Sequence, residues 1–159
     1  MVDVNSRITD SFARQTMMAT LGAQLDHIEQ GQVVITAPIL DSAKQQHGIA
    51  HAALTFAIGD TAAGYSALSV MPAETEVMTA EIKINLLAPA KGDSLRATGR
   101  VIKPGRRLIV VSAEVHAIED GRETLVAVLQ GTMIPVPVEG TMIPVPVNGT
   151  MIPVPADPA

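Results

Sequence analysis

The sequence predicts an α+β domain in which an antiparallel sheet wraps around one long, buried helix. Three observations carry that expectation. The stretch from Ile49 to about Val70 is the longest helical candidate; it is apolar all round, rich in Ala, and contains Gly59 and Gly64. A helix apolar on every face is a buried one. Glycines inside it cost about 1 kcal/mol each against Ala, which is tolerable where a neighbour packs very closely. Strand-like runs lie before and after this helix, and the turn signals Pro104-Gly105 and Asp120-Gly121 punctuate the later ones.

The elements follow in order. Ser11 to Leu21 carries Phe12, Met17, Met18 and Leu21 in a loose helical pattern, with Ser11 as its expected cap and Gly22 as its stop. Ala23 to Pro38 reads as strand, turn and strand, with the turn at Gln30-Gly31 and a β-branched run Val33-Val34-Ile35-Thr36. Leu40 to Gly48 is a polar loop. After the long helix, Met71-Pro72-Ala73 breaks the chain. Val77 to Leu87, Ser94 to Lys103, Leu108 to Ile118 and Thr124 to Ile134 then read as an antiparallel meander.

The C-terminal tail is different in kind. Gly131 to Glu139 (GTMIPVPVE) recurs almost unchanged from Gly140 and again from Gly149, a period of nine residues. Solenoid repeats are longer and drift in sequence. The first copy reads as the native end of the last strand. Proline at alternate positions removes ladder donors, so the further copies are expected at a sheet edge or extended. One domain over residues 1–137 and a tail over 138–159 follow.

Composition excludes several functions. The chain has 159 residues, 47% of them hydrophobic, which suits one core. Aromatics are 2% and the net charge is −5, against a nucleic-acid binder, which needs stacking platforms or a positive field. No cysteine is present, which removes disulfides, thiolate zinc sites and a cysteine nucleophile, and suits a cytoplasmic chain. No secretory signal is read at the N-terminus and no membrane span anywhere.

The chemistry concentrates between Gln45 and Asp60. Asp60 is a lone carboxylate among Ala, Gly, Ile and Phe. Such an acid is costly unless it is solvated, paired or used. We read it as a catalytic base; the plainer alternative is an acid reaching solvent from a partly exposed helix. His47 and His51 sit four apart, as helical metal ligands do, but Asp60 lies nine residues past His51, about 900° around a helix and on the opposite face. A metal site within one chain is therefore not expected. Opposite faces can meet across a two-fold axis, with amides from Gly48 to Ala53 of one copy facing Asp60 of another. Donors and a carboxylate aimed at one water suit acyl transfer to water. Lys103, Arg106 and Arg107, with Arg100, form the main basic cluster, either a solvated hairpin end or a landing site for nucleotide phosphates.

These residues resemble a known family. Gln45-x-x-Gly48-x-x-His51-Ala52-Ala53, followed by Gly59-Asp60-Thr61-Ala62, is similar to the Asn-x-x-Gly-x-x-His-Gly-Gly segment and Ala-Asp-Thr-Ala helix of the hotdog-fold thioesterases of the phenylacetic-acid-degradation (PaaI) type. Thr79 to Asn85, Pro89 to Asp93, Gly99 to Val101, Gly105 to Arg107 and Ala113 to Val115 continue the likeness, which spans roughly Phe12 to Pro135. The resemblance implies a hotdog fold, a homodimer or dimer of dimers, and hydrolysis of acyl-CoA thioesters with no cofactor beyond the CoA of the substrate.

By position it implies that Asp60 activates or directs water, that the Ala52 amide polarises the thioester carbonyl, that Gln45 lies near the substrate and that Thr79 helps hold the water. His51 matches the motif histidine, and Gly48 and Ala53 flank the substrate. The chain departs from the pattern in having His-Ala-Ala for His-Gly-Gly and Gln45 for Asn. A non-catalytic acyl-CoA-binding module is the alternative that these departures keep open, with a hotdog hydratase behind it.

Overall fold

The computed structural model describes residues 3–138, 142–144 and 151–153. Period-two alternation of buried residues builds the inner strands. Val33, Ile35 and Ala37 turn inward from β2 (Gln32–Pro38), Leu95, Ala97 and Gly99 from β4 (Ser94–Lys103), and Ile109, Val111, Ala113, Val115 and Ala117 from β5 (Ile109–Glu119). With β1 (Gln24–Glu29), β3 (Thr75–Leu86) and β6 (Arg122–Pro137) they form one antiparallel sheet in the order β1-β2-β4-β5-β6-β3. The long helix α3 (Ala52–Leu68) lies against its inner face, with Leu54, Ile58, Ala62, Ala63 and Leu68 buried. This is the hotdog arrangement that the resemblance implies, an α+β fold with the sheet wrapped around α3.

Three details depart from the expectation. The meander holds for β4, β5 and β6, but β3 does not pair with β4; it lies along the far side of β6, with Thr79 opposite Met133. The segment Ala88 to Asp93 is thus a crossover rather than a hairpin turn. It is tied down on the way, since Leu87 N–H donates to Val126 O at 2.8 Å and Ala50 N–H to Ala90 O at 2.9 Å.

The N-terminal helix is also two helices, α1 (Val4–Ala13) and α2 (Thr16–Thr20). Ser11 lies inside α1 and caps nothing. Ile8 and Met18 are the buried residues of the two. A bend at Arg14-Gln15 lets both point into the domain. The spacing Val4, Ile8, Phe12 is the signal for α1, and it starts in a stretch that reads as merely polar. Finally, α3 begins at Ala52, not Ile49, because Ala50 is held in an extended bridge to Lys44.

Close approach of helix to sheet explains the small side chains. A Cβ built on Gly99 would stand 2.2 Å from the carbonyl carbon and oxygen of Ala62, so β4 and α3 touch backbone to backbone there. Gly59 has the same reason, with Leu129 at 2.9 Å from a would-be Cβ, but Gly64 has open space around it. Gly99→Ala should therefore push α3 off the sheet and cost roughly 3 kcal/mol of stability, an overpacking penalty read from the midpoint of urea unfolding. A midpoint unchanged from wild type would contradict this packing.

The first tail copy ends the sheet as expected. Met133 is fully buried, and Pro135 and Pro137 lie beyond the start of β5, where β6 is paired on the β3 side only. That is where a sheet tolerates a residue without an N–H. In the further copies, β7 (Met142–Pro144) and β8 (Met151–Pro153) pair antiparallel with each other. The rest of those copies lies outside the described residues.

Candidate active site

The segment before α3 is a tight turn followed by a helix cap. Gly48 takes φ +78°, and its N–H donates to Gln45 O at 3.0 Å. That left-handed conformation suits glycine and turns the chain back toward the helix. The side-chain carbonyl of Gln45 accepts from the His47 N–H. His51 is the N-cap of α3, its Nδ1 accepting from the Ala53 N–H at 2.9 Å. The imidazole so placed carries no proton on Nδ1. His47 sits in the turn and His51 at the cap, so they do not share a helix face.

The expectation of a row of free amides from Gly48 to Ala53 is narrowed by this geometry. Gly48, Ala50, His51 and Ala53 all donate within the chain, to Gln45, Ala90, Ala43 and His51 respectively. In the first turn of the helix the Ala52 N–H has no partner among the described residues. Its φ is negative, so alanine sits there without strain. It also carries the positive end of the helix dipole. A groove of about 540 Å³ runs past it, lined by Gln45, His51, Thr55, Leu86 and Pro89 among others.

Asp60 lies two turns further along α3. It is partly buried, and Thr79 Oγ1 donates to its Oδ1 at 2.9 Å. Burial raises its pKa above the ordinary carboxylate value of 3.8, and the Thr79 hydrogen bond works the other way. The carboxylate faces an apolar groove of about 590 Å³ walled by Met17, Met18, Ala53, Phe56, Ala57 and Ile84. Ala52 lines this groove as well as the first. On its other side Asp60 borders a recess of about 170 Å³ shared with Thr79, Tyr65 and Gln15.

The structure therefore brings the sequence-predicted residues together as two groups. Gln45, Gly48, His51 and Ala52 surround the helix start, and Asp60 and Thr79 form a second centre. Asp60 lies eight positions after Ala52 along the helix, a rise of about 12 Å. Arg106 and Arg107 are exposed in the β4–β5 connection and line neither groove. That connection leads into Ile109, which pairs with Met133, which pairs in turn with Thr79, so it leaves the sheet on the row that holds Thr79.

Three residues near these groups, Gln15, Tyr65 and Thr55, escaped the sequence reading, and a fourth, Thr61, entered it only within the Gly59-Asp60-Thr61-Ala62 likeness. Gln15 and Thr61 border Asp60 in both the groove and the recess. Tyr65 is almost fully buried, accepts from Gln15 Nε2 at 2.8 Å and donates to Ser11 Oγ at 3.1 Å. As the one tyrosine of the chain, on an apolar helix, it needed a polar partner, and that was the available signal. The Thr55 hydroxyl is buried beside the first groove without a hydrogen-bond partner among the described residues.

Comparison with known proteins places the chain among thioesterases. A model of the thioesterase superfamily matches residues 47–124, a span holding His51, Ala52, Asp60, Thr79 and both arginines. The crystal structure of a thioesterase family protein from Silicibacter pomeroyi superposes with a TM-score of 0.83 at 39% identity, over 85% of this chain and 99% of that one. A thioesterase enzyme of Staphylococcus aureus gives 0.70 at 27% identity, over 77% of this chain and all of that one. The E. coli PaaI protein from the phenylacetic acid degradation operon shares the fold, with a TM-score of 0.74 at 21% identity over 84% of this chain and 93% of that one. A chain of Saccharolobus solfataricus, provisionally named an esterase, is 27% identical over 129 residues, 81% of this chain and 83% of its own length.

Proposed function

Because this chain belongs to the hotdog-fold thioesterase superfamily, we propose that it hydrolyses acyl-CoA thioesters to free acid and CoA. The observation that carries this reading is the Asp60–Thr79 pair. It is a carboxylate with a raised pKa, oriented by a hydroxyl and opening on an apolar groove. Asp60 takes a proton from water as the water attacks the thioester carbonyl, and Thr79 holds Asp60 in place. The Ala52 N–H, free and at the positive end of α3, stabilises the developing oxyanion. Gln45 and His51, with Gly48 and Ala53 shaping the backbone, orient the thioester at the helix start. Arg106 and Arg107 meet the phosphates of CoA.

One carbonyl cannot use both centres of a single chain, because the amide and the carboxylate are about 12 Å apart along the helix. The site is therefore completed by a second copy, one supplying Ala52 and the other Asp60. A free edge on β3 and exposed Met78, Leu86 and Leu87 beside it support such a homodimer, which a dimer of dimers would extend. The cysteine-free composition supports a cytoplasmic setting; no helix among the described residues is long and apolar enough to cross a membrane. Residues 1–137 carry the function, and the extra tail copies lie outside it.

Free-thiol release from short, medium and aryl acyl-CoAs tests the reading. We expect turnover on at least one class, by a protein that sediments as a dimer or larger. Absence of turnover on all of them, with CoA ligands still raising Tm, would replace the enzyme by a non-catalytic acyl-CoA-binding module.

A further inference from the structure

We propose that Gln15 is the second arm of a water clamp, its side-chain carbonyl holding, together with Asp60, the water that attacks the thioester. The inference rests on the hydrolytic reading above and adds a residue that lies before the span matched by the family model. Gln15 caps α2 at the bend after α1. Its side chain is anchored from behind. Nε2 donates to the Tyr65 hydroxyl at 2.8 Å, and that hydroxyl spends its own proton on Ser11 Oγ at 3.1 Å. Tyr65 is only 2% exposed, so the anchor is fixed in the packed interior. With its nitrogen engaged, the amide has its carbonyl oxygen left over, and that oxygen has no hydrogen-bond partner among the described residues.

Gln15, Asp60 and Thr61 are the three residues that border both the apolar groove and the polar recess. The three hydroxyls bordering this space are already committed as donors, Tyr65 to Ser11 as above. Thr79 donates to Asp60 Oδ1, and Thr61 donates to Ala57 O at 2.7 Å. The shared space is therefore faced by two strong acceptors, the Asp60 carboxylate and the Gln15 carbonyl. Water has two hydrogens to give. One donated to each acceptor turns a lone pair away from both of them and toward the groove, where an apolar acyl chain would lie.

The step then balances. The water oxygen bonds to the thioester carbon, one water proton passes to Asp60, the C–S bond breaks, and the departing sulfur takes that proton as the CoA thiol. The second water hydrogen stays on the product acid. Gln15 exchanges no proton; it restricts the orientation of the water, which is an entropic contribution to the rate.

Gln15→Met keeps the size of the side chain and removes its carbonyl. We expect kcat to fall on the order of 10- to 100-fold, with KM within about threefold of wild type because the functional contact is made to water rather than to the acyl group, and with a modestly lower Tm from loss of the Gln15–Tyr65 hydrogen bond. Tyr65→Phe, which frees the amide without removing it, is expected to lower kcat about fivefold with the same constant KM. Should Gln15→Met fail to fold, this second variant decides alone. Wild-type kcat in the folded Gln15→Met protein would overturn the clamp and leave the hydrolytic reading standing. No thiol release by the wild-type protein from any acyl-CoA would remove that reading, and the clamp with it.

Discussion

Asp60→Asn is expected to lose thioester hydrolysis by about 10³-fold or more while becoming the more stable protein at neutral pH. The rate loss follows from removing the base, since an amide cannot take the proton of the attacking water. The stability gain follows from the same burial that raises the Asp60 pKa. An acid whose pKa is raised in the folded state is protonated in both states below its unfolded value of 3.8, and folding then carries no ionisation penalty. As pH rises from 3.8 to the higher folded value, the unfolded chain ionises before the folded one, and above the folded value wild type carries the full cost of burying the charge.

Asparagine does not ionise, and its carbonyl can still accept from Thr79. The Tm of Asp60→Asn should therefore exceed that of wild type at pH 7, and the gap should close as the pH approaches 4. Thermal melts across that range, beside thiol-release rates, test both halves. Equal melting temperatures at pH 7 would mean that the carboxylate is not desolvated, and full turnover would remove Asp60 as the base. In wild type, activity should rise with pH along a limb displaced upward from 3.8, the direction in which burial moves Asp60.

Ala52→Pro is expected to fold and to lose most of its activity. Ala52 is the first residue of α3, the position at which proline is best tolerated because its missing N–H has no helical partner. The residue before it, His51, has φ −65° and ψ 143°, an extended conformation that a following proline favours. The substitution therefore deletes one N–H, which has no partner among the described residues, and leaves the turn and the His51 cap in place. Loss of one oxyanion donor should lower kcat by about 10² to 10³-fold. Circular dichroism and Tm would report the intact fold. Undiminished kcat in a folded Ala52→Pro protein would show that the carbonyl is held elsewhere, with the buried Thr55 hydroxyl the next donor to examine.

Much of this molecule was legible in the chain itself. The identities and approximate limits of β1, β2, β4, β5 and β6 follow from alternation between turn residues, because one face of each strand must be apolar and the other need not be. Burial of α3 follows from its lack of a polar face, and the prominence of Asp60 from being the one charge on it. Placement of β3 beside β6 was not legible, since the six residues from Ala88 to Asp93 read locally as a turn and only their bonds to Ala50 and the far sheet make them a crossover. The division of the first helix was missed for a related reason: Ile8 and Met18 are both buried, and nothing local says they must point along different axes.

At the candidate site the same boundary applies. Composition placed a helix from Ile49, with Ala52 early in it and Asp60 in its middle, and spacing along a helix set the rise and angle between the two; the start at Ala52 itself came from the structure. Which amides are left free was decided in part locally, by the bonds of Gly48 to Gln45 and of Ala53 to the His51 ring, and in part by tertiary structure, through the bonds of His51 to Ala43 and of Ala50 to Ala90. Tertiary structure also decided the presence of Gln15, 45 residues before Asp60 in the chain and beside it in space. Local pattern records how a segment repeats and which face it buries. Hydrogen-bond partners and cavity walls come from segments distant in sequence, and only their packing against one another selects them.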